Sequence, residues 1–148
     1  AKQILQEILQ EKKKIADQSK YILIHGDPGP KNIIVGPEKE IAFIDFGNSW
    51  RFDPLSDIGN FLVQIDLIAW RKYASQKYIN QLKNIFLKEY FEARGIKRKE
   101  ALKRIHLYQA WWAMQILAYT VVVGTKRMRI VKKAIPLAKK CLKEYKND

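Results

Sequence analysis

The sequence predicts an α+β fold in which helices predominate. Short Ile-rich runs flanked by Gly or Pro crowd into residues 21–44, and from Leu55 onward the apolar residues recur at helical spacing. The 148 residues, 47% hydrophobic and 29% charged, suit one self-burying domain and exclude a disordered tail. Seven Gly, five Pro and a lone Cys141 exclude collagen, a disulfide scaffold and a CxxC metal ribbon, and they fit a reducing, cytoplasmic setting. Because the chain opens on Ala1 in a charged amphipathic stretch, no export signal is expected, and a processed or truncated piece is.

Ile4, Leu5, Ile8, Leu9 and Ile15 recur at steps of three and four, which predicts a helix over 2–18 with Lys12–Lys14 mainly on its wet side. Tyr21–Ile24, Asn32–Val35 and Ile41–Ile44 read as strands. Gly36–Glu40 has the length and residues of a hairpin turn, so the last two strands should pair. Asp53 with Pro54 marks an N-cap and a first-turn proline. The stripe Ile58, Phe61, Leu62, Ile65 and Ile68 then carries a helix to about Trp70.

Further helices are expected over Ser75–Arg94, stopped by Gly95, and over Lys99–Val123, closed by Gly124. A last one over 126–146 would be capped by Thr125 and kinked or restarted at Pro136. Ile105–Val123 holds 19 residues with no charge apart from His106. Its Gln109, Gln115 and Thr120, and the mid-segment pair Trp111–Trp112, favour a central buried helix over a membrane span. Trp50 and Trp70 are likewise expected in core or cleft packing rather than as a platform for bases.

Charge is unevenly placed. Residues 1–66 hold 8 basic and 10 acidic side chains, while residues 67–148 hold 20 and 5, so the whole excess of the +13 chain lies in the second part. A basic surface of this kind fits either a solvated lysine coat or contact with nucleic acid, an anionic membrane surface or a phosphorylated partner.

The stretch His25-Gly26-Asp27-Pro28-Gly29-Pro30-Lys31-Asn32, followed after one hairpin by Ile44-Asp45-Phe46-Gly47, carries the chemistry. It places a carboxylate, a carboxamide five residues on and a second carboxylate on loops that end successive strands. Phosphoryl transfer needs such a set: one carboxylate to orient and deprotonate the attacking hydroxyl, and an Asn and an Asp to hold Mg²⁺ against a triphosphate.

With Asp53-Pro54-Leu55-Ser56-Asp57 following, the three motifs resemble the C-terminal lobe of the aminoglycoside phosphotransferase and choline kinase family, the small-molecule branch of the protein-kinase-like fold. The motifs cover about residues 20–62. The resemblance implies a catalytic-loop and metal-site region over 1–61 and a helical substrate subdomain over 62–148. It implies Asp27 as catalytic base, Asn32 and Asp45 as metal ligands, and His25 and Asp57 as structural supports of the catalytic loop. Lys31 is a candidate phosphate contact. ATP and Mg²⁺ are the implied donor and cofactor.

Several departures narrow the class. Gly26 and Gly29 stand where protein kinases carry Arg and Lys, and nine residues, Asn48–Ser56, are too few for an activation loop with a peptide platform. Gly29 also replaces the His common in the small-molecule branch. No glycine-rich phosphate loop and no Val-Ala-x-Lys strand precede His25, so the N-terminal ATP lobe is expected to be missing, the fragment alone weak in nucleotide binding, and that lobe a partner. The basic second part argues for a neutral or anionic acceptor. The alternatives are a compact Rio-like atypical protein kinase and a non-catalytic scaffold for RNA or an acidic partner.

Overall fold

The computed structural model describes residues 1–72, 75–123 and 128–147. It is predominantly helical: α1 (Lys2–Ile15), β1 (Ile22–Ile24), β2 (Ile33–Val35), β3 (Ile41–Phe43), β4 (Trp50–Phe52), α2 (Leu55–Lys72), α3 (Gln76–Arg94), α4 (Arg98–Val122) and α5 (Met128–Asn147). The expected hairpin forms, with β2 and β3 antiparallel and Ile33 opposite Phe43. Sequence reasoning missed β4, which pairs antiparallel with β1 and sets Ile22 opposite Phe52 and Ile24 opposite Trp50. Two small two-stranded sheets therefore present the loops on which the motif residues lie.

The helices bury two connected apolar clusters. Ile8 of α1, Val63 and Leu67 of α2, Leu107, Ala110 and Leu117 of α4, and Leu137, Ala138 and Leu142 of α5 form the larger. The second joins Leu55, Ile58 and Leu62 of α2 to Leu87 and Phe91 of α3 and to Ile105 and Tyr108 of α4. Because α4 contributes to both clusters, its middle is buried on more than one side, which explains the long charge-free run. Among the described residues no helix is long and apolar enough to cross a membrane. Gly59 sets the crossing of α2 and α4: a Cβ there would lie 2.7 Å from that of Tyr108 and 3.0 Å from its backbone.

Several expectations need correction. The first helix ends at Ile15 rather than 18, and a short 3₁₀ turn over Gln18–Lys20 follows. Lys12 does not join Lys13 and Lys14 on the wet side. Its ammonium lies 3.6 Å from the ring centre of Trp111 and 5.4 Å from that of Phe52, because the stem folds over these aromatic faces where α1 meets α4 and β4. Burial there lowers Lys12 to about 8.

Gly95 ends α3 as expected, its N–H bonded to the carbonyls of Glu92 and Phe91. The last helix does not restart at Pro136. It runs on through that residue, because Ala134, Leu137, Ala138 and Leu142 are held in the core on both sides of it. Trp111 and Trp112 pack against the larger core, and Trp50 and Trp112 line a cleft. The side chain of Trp70 and the expected caps Gly124 and Thr125 lie outside the described residues.

Candidate active site

The site is built on the first turn of α2. Asp57 accepts hydrogen bonds from the backbone N–H of His25 (2.7 Å) and of Gly26 (3.0 Å), which fastens the loop leaving β1 to the helix start. Burial pushes the Asp57 carboxyl above its ordinary range, and the two N–H bonds draw it part of the way back. His25 bridges the two sheets. Its Nε2 is 2.9 Å from the carbonyl of Ile44 and its Nδ1 accepts the N–H of Asp27 at 3.3 Å, a pairing that selects the Nε2–H tautomer. The ring rests against Phe46, with centroids 4.5 Å apart. His25 and Asp57 thus both contact the loop that carries Asp27.

Asp27 is mostly buried and fully engaged. Lys31 Nζ lies 2.8 Å from Oδ2, Asn32 Nδ2 donates to the Asp27 carbonyl at 2.8 Å and to Oδ2 at 3.3 Å, and Gln64 Nε2 donates to Oδ1 at 2.8 Å. Asn32 ends a 3₁₀ turn over Pro30–Asn32, and its carbonyl accepts the N–H of Ile44 at 3.0 Å. The residue after Ile44 is Asp45, so the hairpin register carries Asn32 and Asp45 to one end of the sheet.

Asp45 adopts the left-handed conformation, φ 63° and ψ 63°, and its carboxylate makes no hydrogen bond or ion pair among the described residues. A Cβ on the neighbouring Gly47 would stand 3.5 Å from Asp45 Oδ1. Left-handed backbone at a non-glycine residue costs about 1–3 kcal/mol, a cost characteristically met at functional sites.

Asp27, Lys31 and Asp45 line one cavity of about 660 Å³, together with Asn60, Gln64, Trp50, Trp112 and Tyr119. Trp112 is fixed by an Nε1–H bond to Ser56 Oγ at 3.0 Å. No three of His, Cys, Asp and Glu gather as metal ligands among the described residues. The available donors are instead the Asp45 carboxylate, without a partner among the described residues, and the side-chain Oδ1 of Asn32, whose amide nitrogen is committed to Asp27. Such a sparse oxygen set is unsuited to Zn²⁺. It fits Mg²⁺, which keeps several waters and takes its remaining ligands from one or two carboxylates and substrate phosphates.

Three functional positions were missed from sequence. Asn60 and Gln64 follow Asp57 on α2 at steps of three and four, a polar line along a helix whose middle is mainly apolar, and that spacing is the signal that would have revealed them. Asp53, read as an N-cap, does accept the N–H of Leu55 at 3.0 Å. It is also 1% exposed and takes the Tyr108 hydroxyl at 2.7 Å and the Arg104 guanidinium, partners more than fifty residues away. This buried group ties α4 to the start of α2, and through Asp57 to the loop that carries Asp27.

The lining amide Gln64 also lies against Gly29. A Cβ at Gly29 would lie 1.8 Å from Gln64 Oε1, so the amide occupies the room that a side chain two residues after Asp27 would need.

No match was found among curated proteins or solved structures. A family model does match: that of the phosphotransferase enzyme family aligns with residues 1–109, which take in both sheets, α2, α3 and the residues converging on Asp27. With nearly three quarters of its length so matched, the chain belongs to the phosphotransferase enzyme family.

Proposed function

We propose that this chain carries the catalytic loop and metal site of an ATP- and Mg²⁺-dependent kinase that phosphorylates a hydroxyl of a neutral or anionic acceptor. The convergence of Asn32 and Lys31 on Asp27, beside the unpartnered Asp45 carboxylate, is the observation that carries this reading. Asp27 accepts the proton of the acceptor hydroxyl as its oxygen attacks the γ-phosphorus and ADP departs. Asn32 and Asp45 are the residues that would hold Mg²⁺, which supplies charge neutralisation along the triphosphate. Lys31 stands beside the base, where its ammonium opposes the charge of a transferred phosphoryl group. In the complete enzyme Asp27→Ala should reduce turnover by about 10²–10⁴, the usual worth of general-base catalysis, and unchanged turnover would remove Asp27 from the mechanism.

The cavity supports the acceptor class. Among its lining residues the carboxylates are Asp27 and Asp45, both assigned to the transfer itself, and the other polar groups are mainly amides. A polycation finds no further carboxylate to pair with among these residues. Efficient phosphorylation of kanamycin or choline by the full-length protein would contradict this.

The sheet surface supports the need for a second lobe. Leu23 and Val35 are 71% and 65% exposed, and Ile41, Phe46 and Trp50 are also open to solvent. Exposed apolar area on this scale marks an interaction face, and a nucleotide-binding lobe is the cover proposed. Titration with MgATP of this chain and of one extended upstream tests it: tight binding only in the extended form is expected, and micromolar affinity in the short form would refute it.

A second reading, a non-catalytic scaffold for RNA or an acidic partner, draws on α5, where Lys132, Lys139, Lys143 and Lys146 are exposed. Salt-dependent binding to random RNA would favour it, and transfer activity lost with Asp27 would count against it.

A further inference from the structure

We propose that Gln64 is a positioning residue for Asp27 and that Gly29 is glycine in order to leave room for its amide; the catalytic half of this inference rests on the phosphotransferase reading above. Both hydrogens of the Gln64 amide are spent on acceptors, Asp27 Oδ1 at 2.8 Å and Asn60 Oδ1 at 3.0 Å. Turning the amide over would set its oxygen against two other oxygens, so its orientation is fixed by the chemistry of its partners. Asn60 Nδ2 in turn donates to the Gly26 carbonyl at 3.3 Å. Two side chains one turn apart on α2 thus hold both the backbone and the carboxylate of the loop, and Asp27 cannot rotate without giving up a charge-assisted hydrogen bond.

Gly29 completes the argument. A Cβ there would lie 1.8 Å from Gln64 Oε1, 2.3 Å from its Cδ and 2.5 Å from Nε2. The far end of a glutamine ordinarily swings away from such an intruder at little cost. This one cannot move without leaving both Asp27 and Asn60, so a methyl group at position 29 and the Gln64–Asp27 contact exclude each other.

The experiment has one arm that needs no activity. In side-chain amide NMR spectra of this chain, the Gln64 Nε2 signal, assigned by its loss in Gln64→Leu, should shift in Asp27→Ala and shift comparably in Gly29→Ala. A Gln64 signal unmoved by Gly29→Ala would overturn the proposal. The second arm measures MgATP turnover by the full-length protein, with circular dichroism to show that each variant is folded. Gln64→Leu should lower kcat roughly tenfold or more, the worth of one hydrogen bond to a charged group, and leave KM for MgATP unchanged. Gly29→Ala should cost a similar factor in the native background and nothing further in the Gln64→Ala background. Unchanged kcat in Gln64→Leu, or full additivity of the two changes, would overturn the positioning role. Absence of any turnover in the unmodified protein would count against the phosphotransferase reading, while the amide spectra would still decide the contact.

Discussion

Replacing Tyr108 by Phe isolates one hydrogen bond in the buried group that anchors the site. The ring keeps its edge contact with Phe52, at 5.8 Å between centroids and 69°, so packing is little altered. What is lost is the hydroxyl donated to Asp53 Oδ2 at 2.7 Å, on a carboxylate only 1% exposed. A hydrogen bond to a charged group is worth about 1.5–3 kcal/mol. With an unfolding entropy of about 2.1 cal/mol/K per residue, a chain of 148 residues loses about 3 °C of Tm per kcal/mol, giving an expected fall of about 5–10 °C.

Arg104→Met should cost more, because it leaves a buried carboxylate without its countercharge. Removing one partner of a buried pair costs about 3–5 kcal/mol. The lower end is expected here, since Arg104 Nε is itself buried without a partner among the described residues and that penalty disappears with the side chain. Calorimetry with urea titration on both single variants and the double variant measures the coupling. A Tm change under about 1 °C for Tyr108→Phe, or strict additivity in the double variant, would refute the view that Asp53 is held as one network.

Three more outcomes follow from buried charges and thiols. Lys12, lowered by burial to about 8, gives up its proton in the folded chain while the unfolded chain still holds that proton up to about 10.5. Stability should therefore rise from pH 8 to 9, and urea midpoints should show that this slope is gone in Lys12→Met. Above pH 9 the sign reverses, because burial raises the Cys141 thiol to about 12 and Tyr145 also to about 12, so the unfolded chain ionises first and stability falls. Cys141 itself, 2% exposed, should resist thiol reagents at pH 8 in the folded chain and react fully in denaturant; rapid labelling without denaturant would contradict its place in the core. Lys83→Met leaves Asp66, 4% exposed, without the ammonium now 2.7 Å away, and should destabilise the fold by about 3 kcal/mol or more in urea titration.

What was legible in the sequence was local. Apolar spacing places α2, α3 and α4 to within a residue or two of their observed ends, and Gly36–Glu40 announces the β2–β3 hairpin because a short turn pairs neighbours directly. The motif residues were legible for a related reason: Asp27 and Asn32 lie on one loop, so their spacing alone brings them together. The misses share the opposite cause. Trp50–Phe52 reads as loop until β1, nearly thirty residues earlier, supplies its ladder. Lys12 reads as solvated until Trp111 arrives across the fold, and Asp53 reads as a cap until Tyr108 and Arg104 do.

Gln64 is the instructive case, because its signal was split between two places. Gly29 stood out as a departure from the family pattern. Asp57, Asn60 and Gln64 stood at steps of three and four on a helix whose middle is mainly apolar. Neither observation names the other residue, since glycine shows only that space is required and an amide shows only that a partner is required. The fold brings the requirement for space and the requirement for a partner to the same atoms, from positions 35 residues apart in the chain. A loop that gave up a side chain at position 29 thereby gained one from α2. The orientation of Asp27 consequently depends on how α2 is seated, and α2 is seated by the Asp53 network and the close crossing at Gly59. Damage to that network should therefore reach the site as a loss of alignment before it reaches the fold as a loss of structure.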